Sequence, residues 1–510
     1  MVAPLRYPLI ALTWGAIALV YLPLLPAAAL MAVPAVDAAA WRALLSDPQL
    51  PQALAATLAS TLLAVGGALF ITLTVIGALW PAAGWQRLAR RLPLLLAVPH
   101  VAFATAALLL FAEGGWLYRL FPALSPPADR YGIGLGLTMA VKESAFLLWV
   151  AYGVLGEKQL AAHTVVMKTL GYNRWQCLQW IIVPALLPSM SLVLLATVAW
   201  SLSAVDVALV IGPGNPPTLA VLAWQWLNQG DPLQQAKGAL ASLLLLAFTL
   251  IFAAIASAGW RRWRQTIPAL CGKRAAPANA ATGRILAQVV PACGLVCALL
   301  LAGISQWTQP TAEAIGNSLW LALGAAILGA ALCLLWLEFG PARYNGLWLP
   351  LIIPTLPLAD GQYQLALVGW LDGQLMTVLW GHLLWVVPWM LFILSPAWRN
   401  LDPRLLLIAR TLGWRRGRLF WRVKLPSMTR PLLTALAVGF SVSIAQYLPT
   451  VWLGGGRTPT LTSEAVALSS GGDSTRLAAQ ALWQLLLPAI CFMVTALMAW
   501  FMGRRRRGLR

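Results

Sequence analysis

The feature that most constrains this 510-residue chain is the recurrence of apolar runs about 20 residues long. A helix of that length crosses the hydrocarbon of a bilayer and satisfies its backbone polar groups internally. Twelve such runs are read, at about 7 to 31, 54 to 80, 92 to 112, 132 to 155, 181 to 206, 236 to 259, 285 to 306, 315 to 337, 347 to 368, 375 to 396, 431 to 453 and 478 to 502. Only 10% of the residues are charged, where a soluble domain carries about 25%, and the mean hydropathy is +0.77. The expected fold is therefore all-α and polytopic, with about twelve transmembrane helices. The first run, with Arg6 before it and Ala27 to Ala29 after it, has parts of a signal peptide, but its length of about 25 residues predicts a retained span.

Lys and Arg accumulate in cytoplasmic loops. With the N-terminus inside, 28 of the 35 basic residues fall on the cytoplasmic side, including Lys158, Lys273, Arg343 and Arg510, and both termini are expected there. The net charge of +20 then reads as a topology signal and a contact with anionic lipid, which argues against a nucleic-acid partner. None of the six cysteines, Cys271 among them, falls where an external disulfide would form.

Sliding the chain on itself by 242 residues aligns 168 to 236 with 410 to 478 without gaps and gives sixteen identities in 69 positions. The matches concentrate on Gly, Pro and Thr, which shared membrane composition alone does not produce. Thr169, Leu170, Gly171, Arg174 and Pro184 pair with Thr411, Leu412, Gly413, Arg416 and Pro426. Gly212, Gly214, Pro217 and Thr218 pair with Gly454, Gly456, Pro459 and Thr460. Earlier, "TLASTLLA" from Thr57 resembles "SLWLALGA" from Ser318, and "LPLLLAVP" ending at Pro99 resembles "LPLIIP" ending at Pro354. Two six-span halves, 1 to 259 and 285 to 510, joined by a basic cytoplasmic linker at 260 to 284, are expected, and an even span number makes the repeat parallel.

The stretch between spans four and five of each half reads as helix, Gly, helix, Pro. Gly171 and Gly413 are expected to end the first helix in a left-handed turn. These residues resemble the cytoplasmic loop of ABC-type importer permeases, EAA-x3-G-x9-I-x-LP. Ile181 and Pro184 fall on the end of that pattern after Gly171; Val423, Leu425 and Pro426 do so after Gly413. Val165, Val166 and Met167, and in the second copy Leu407, Ile408 and Ala409, stand where the family has Glu-Ala-Ala. The segment from Val207 to Ser242 also looks like that of fused thiamine and ferric-iron permeases. The resemblance implies a type I importer fold, two copies of a cytoplasmic ATPase docked on the two loops, and a periplasmic binding protein that delivers a small solute, thiamine-like or ferric iron. Arg410, Arg415, Arg416 and Arg418 would offer the ATPase's acidic groups a partner in place of the missing glutamate, besides holding the loop inside.

ATP chemistry is not expected on this chain, because no G-x4-GK[ST] loop is present; ATP belongs to the partner subunit. Ionisable residues inside spans are costly and carry functional hypotheses, so Glu143 and Asp206 are candidates for the substrate pathway. Glu143 is equally read as a helix-to-helix hydrogen bond, and His100 and His382 as packed side chains. The paired segments at 212 to 218 and 454 to 460 are turn-makers and a candidate outer gate. No catalytic or metal-binding set is read. A twelve-helix secondary transporter, working without an ATPase, fits the same composition.

Overall fold

The computed structural model describes residues 6–112, 115–121, 123, 129–157, 160–266, 274–276, 279–341 and 345–507. Lys158, Lys273, Arg343, Arg510 and Cys271 lie outside the described residues, as does much of the expected linker.

The regular elements among the described residues are all helical. Among the described residues ten helices are long and apolar enough to cross a membrane, or eleven if the bent pair Arg416–Ser427 with Thr429–Ile444, at 74° to one another, is one span. The count differs from twelve because of one segment. The run at 347 to 368 is divided into Leu349–Ile352 and Thr355–Val368, neither long enough alone. Pro354 lacks the N–H that would continue the helix and forces extended backbone on Ile353, at φ −76° and ψ 137°. The first half breaks in the same way: Pro93–Leu96 stops, and His100–Phe111 restarts after Pro99.

Helix Leu50–Leu79 packs along Ile133–Glu157, and Ala312–Phe339 packs between Leu375–Arg399 and Thr429–Ile444. Small side chains permit this. Ala53, Ala56, Ala64 and Ala68 are buried on the first helix, and Ala322, Ala325, Ala326 and Ala330 on the second. Between helices in lipid, close van der Waals approach replaces the hydrophobic effect as the driving force. Larger residues such as Leu62, Phe70, Leu323 and Ile327 face outward and are exposed.

The halves exchange their first helices. Arg6–Tyr21 packs on Ala312–Phe339 and Leu375–Arg399, and Leu24–Ala35 on Thr355–Val368. Conversely, Ala281–Ser305 packs on Leu50–Leu79 and His100–Phe111. At Gly283 the approach is so close that a Cβ would collide with the Thr74 carbonyl oxygen. The two halves are therefore interlocked rather than laid side by side.

Candidate coupling loops and central cavity

The two loops repeat in geometry as they do in sequence. Leu160–Thr169 ends at Gly171, whose φ of +88° is the left-handed conformation that glycine adopts without penalty. The Gly171 N–H donates to Lys168 O at 3.0 Å and the Tyr172 N–H to Met167 O at 3.1 Å. Pro403–Thr411 ends at Gly413, with φ +73°, and Gly413 and Trp414 donate to Arg410 and Ala409 at the same two distances. This double bond closes the last helical turn and turns the chain sharply.

Each loop re-enters the helical bundle through one widened, π-helical turn, at Leu178–Ile182 and at Phe420–Lys424. Pro184 and Pro426 follow one residue later, and their missing N–H and bulky ring oppose regular α-helical bonding one turn back.

The grips on the two loops differ. In the first, Arg174 Nη1 donates to Ala78 O at 3.0 Å, at the end of helix Leu50–Leu79, and Trp175 fills the space above Gly77, where a Cβ would lie 2.6 Å from its ring. Linker residues also rest on this loop: Asn173 Nδ2 donates to Ala276 O at 2.9 Å, and the Ala275 N–H donates to Gln176 Oε1 at 3.2 Å. In the second loop the grip is ionic. Arg416 Nε lies 2.5 Å and Lys424 Nζ 2.6 Å from the two carboxylate oxygens of Glu338, whose side chain is 4% exposed at the end of Ala312–Phe339. Arg416 also donates to the Glu338 carbonyl and lies over the Phe339 ring.

Arg416 is thus paired within the chain, while 35% of its side chain stays exposed. The apolar residues of both loops point the other way. Val165, Val166 and Leu170, and Leu405, Leu407, Ile408 and Leu412, are each more than half exposed.

The paired Gly/Pro segments lie at the opposite ends of the same two helices. Gly212 and Gly454 end the short helices Val205–Ile211 and Leu448–Gly454. After Gly214 and Pro217, and after Gly456 and Pro459, the chain restarts as helix at Thr218 and Thr460. The Leu219 N–H donates to Thr57 Oγ1 at 2.8 Å, and the Leu461 N–H to Ser318 Oγ at 3.0 Å. Each of Leu50–Leu79 and Ala312–Phe339 therefore touches a loop at one end and a Gly/Pro segment at the other. Asn317, which donates to Pro459 O at 3.0 Å, adds to the second contact.

Between the halves lies a cavity of about 440 Å³. It forms where four helices break: at Pro99, at Ile353 to Thr355, at Ser203 to Val205, and at Ala445 to Tyr447. Irregular backbone at membrane depth is tolerated where it lines a cavity or is buried in protein. Glu143 and Asp206 both line it and are both buried. Glu143 Oε1 bonds His100 Nε2 at 2.7 Å, so the helix-to-helix bond and a place on the cavity wall coexist in one residue. Lys142, also on the lining, donates to Leu95 O at 3.0 Å. His382 is enclosed between Ser443 Oγ at 2.7 Å and Thr450 Oγ1 at 3.0 Å, a packing role. Asp206 sits in the first turn of Val205–Ile211, where a helix N-terminus favours a carboxylate.

Sequence reasoning did not single out Glu338. The available signal was an acidic residue at the loop-side end of an apolar run, opposite a loop rich in arginine.

A multi-pass helical chain that breaks around a central cavity and carries twin loops is a membrane transport subunit, and this chain belongs to the ABC transporter permeases of the inner membrane. Over an alignment of 511 residues, covering 100% of both chains, it is 57% identical to the inner membrane ABC transporter permease protein YnjC of Escherichia coli (strain K12). No family model matches the chain.

Proposed function

We propose that the chain forms the translocation pathway of an ATP-driven importer. Two copies of a cytoplasmic ATPase dock on the loops at 160 to 184 and 403 to 426, and a periplasmic binding protein delivers a small solute, thiamine-like or ferric iron, to the opposite face. Both termini are cytoplasmic, and ATP is bound and hydrolysed on the partner chains. Closure of the ATPases draws the two loops together; helices Leu50–Leu79 and Ala312–Phe339 carry that movement to the Gly/Pro segments and switch the cavity's access.

The observation that carries this reading is the duplicated turn: two loops 242 residues apart end in the same glycine geometry and expose apolar side chains while their bases are anchored. A short amphipathic helix with such a face is suited to a hydrophobic groove. The paired substitutions Leu170→Asp and Leu412→Asp add two charges to that face without touching the anchors. They are expected to lower ATPase recovered with the affinity-purified permease by at least about tenfold, the effect of roughly 1.4 kcal/mol. Unchanged recovery with a monodisperse variant contradicts the reading.

A further inference from the structure

We propose that a pocket beneath the second loop binds a phosphate group, that of an anionic phospholipid headgroup, and that the first loop has no such site. The chain's net basic charge predicts a diffuse attraction to anionic lipid; the pocket is a discrete place for one headgroup. The inference requires only that the chain spans a membrane and is independent of what docks on the loops.

The pocket, about 280 Å³, is lined by Glu338, Arg410, Trp414, Arg416, Leu419 and Lys424. A water molecule takes ~30 Å³ in the liquid, so a polyatomic anion has room there. Three cations face one carboxylate, which leaves two positive charges uncompensated. Both oxygens of Glu338 are already engaged, by Arg416 and Lys424, and Arg410 lies in no salt bridge among the described residues. A guanidinium meets a phosphate with two parallel N–H donors, and an ammonium adds a point charge.

Position selects a lipid as the source of that phosphate. Glu338 is the last residue but one of the span Ala312–Phe339. Lys424 Nζ lies 4.7 Å from the ring centroid of Trp398, the last residue but one of the span Leu375–Arg399. The pocket therefore sits where two spans end, the level at which headgroups begin. Aromatic rings gather beside it, as they do at membrane interfaces. Trp398 and Phe420 are 6.4 Å apart and Phe420 and Trp421 5.4 Å, centroid to centroid, and Trp421 is 67% exposed. Basic pockets between spans on the cytoplasmic side suit anionic headgroups.

The first loop forms the same glycine turn and the same π-helical turn without this charge, so the loop's fold does not require it. At the 242-residue offset, Lys168, Tyr172 and Ile182 stand where the second loop has Arg410, Trp414 and Lys424. The pairing of Thr57 with Ser318 puts Gly77 opposite Glu338, and the Trp175 ring fills the space over Gly77.

The test is amide hydrogen exchange on the full-length permease, without other proteins, in nanodiscs of phosphatidylcholine or of phosphatidylcholine and phosphatidylglycerol in equal parts. Exchange across 403 to 426 is expected to slow about tenfold in the anionic discs, the size of one hydrogen bond to a charged group, and to stay unchanged across 160 to 184. Arg410→Gln is expected to abolish the slowing while exchanging as wild type in neutral discs, which shows the loop intact. Arg418→Gln removes the same charge from an exposed residue outside the pocket lining and is expected to keep the slowing. Equal loss in the two variants, or equal slowing of both loops, would reveal diffuse surface attraction and overturn the proposal. Inorganic phosphate that reproduces the slowing in neutral discs overturns the lipid as the source. Identical exchange in the two kinds of disc overturns the site itself and leaves its cations to an acidic group of a partner protein.

Discussion

Glu338→Ala is expected to release the second loop from the helix that anchors it while leaving the first loop in place. The substitution strands two cations, Arg416 and Lys424, that now share one carboxylate buried to 4% exposure. Removing one partner of a buried ion pair typically costs about 3–5 kcal/mol because a charge is left uncompensated. Here the lower end of that range applies: Arg416 is 35% exposed and recovers part of its hydration. Amide hydrogen exchange should therefore rise across 403 to 426 and stay near wild type across 160 to 184. Arg174→Ala in the first loop provides the contrast. It removes a single bond to the Ala78 carbonyl, worth about 0.5–1.5 kcal/mol, and leaves Trp175 packed over Gly77. Equal exchange in the two variants contradicts the claim that the loops are anchored by different chemistry.

The second large effect is expected at the turn glycines. Valine at position 413 or 171 must adopt a left-handed backbone that its branched side chain resists, at a cost of about 1–2 kcal/mol per site. The helix before each turn then loses the two bonds that close it, and the exposed apolar face is no longer held at a fixed angle. Gly413→Asn supplies the control, because asparagine tolerates this conformation and nothing lies within 4 Å of a Cβ there. At Gly171 a Cβ meets Arg274 Cδ at 3.2 Å, so asparagine there must also displace a linker side chain. The expected order of ATPase recovery is wild type, then Gly413→Asn, then Gly413→Val, with the double Gly171→Val/Gly413→Val variant lowest. Recovery that ignores the difference between Asn and Val at 413 would show that the turn's handedness does not matter.

What could be read before the structure depended on how local each cause was. The apolar runs follow from bilayer thickness, and the loop glycines and prolines carry their conformational requirement in the residue itself, so both were legible. Glu143 and Asp206 were found because charge in an apolar span is conspicuous in one dimension. Their meeting in one cavity was not legible, since it depends on helix breaks from both halves lining the same space. Pro99 and Pro354 end matching strings in the two halves, yet the apolar runs at 92 to 112 and 347 to 368 continue through both and hide the breaks. The exchange of first helices leaves no mark in composition, because a helix facing a neighbour and a helix facing lipid are both apolar. Arg416 shows the converse limit. Its basic surroundings mark a cytoplasmic loop, and only the fold brings Glu338 within reach.

The measurement that bears most directly on the account is the composition of the complex that the intact permease forms in its own membrane. The tagged full-length chain would be isolated in mild detergent and weighed by native mass spectrometry. One permease with two copies of a single ATPase, both lost in the Gly171→Val/Gly413→Val variant, is the predicted result. A permease that carries no ATPase and still moves solute in liposomes would contradict it and identify a transporter driven by something other than ATP.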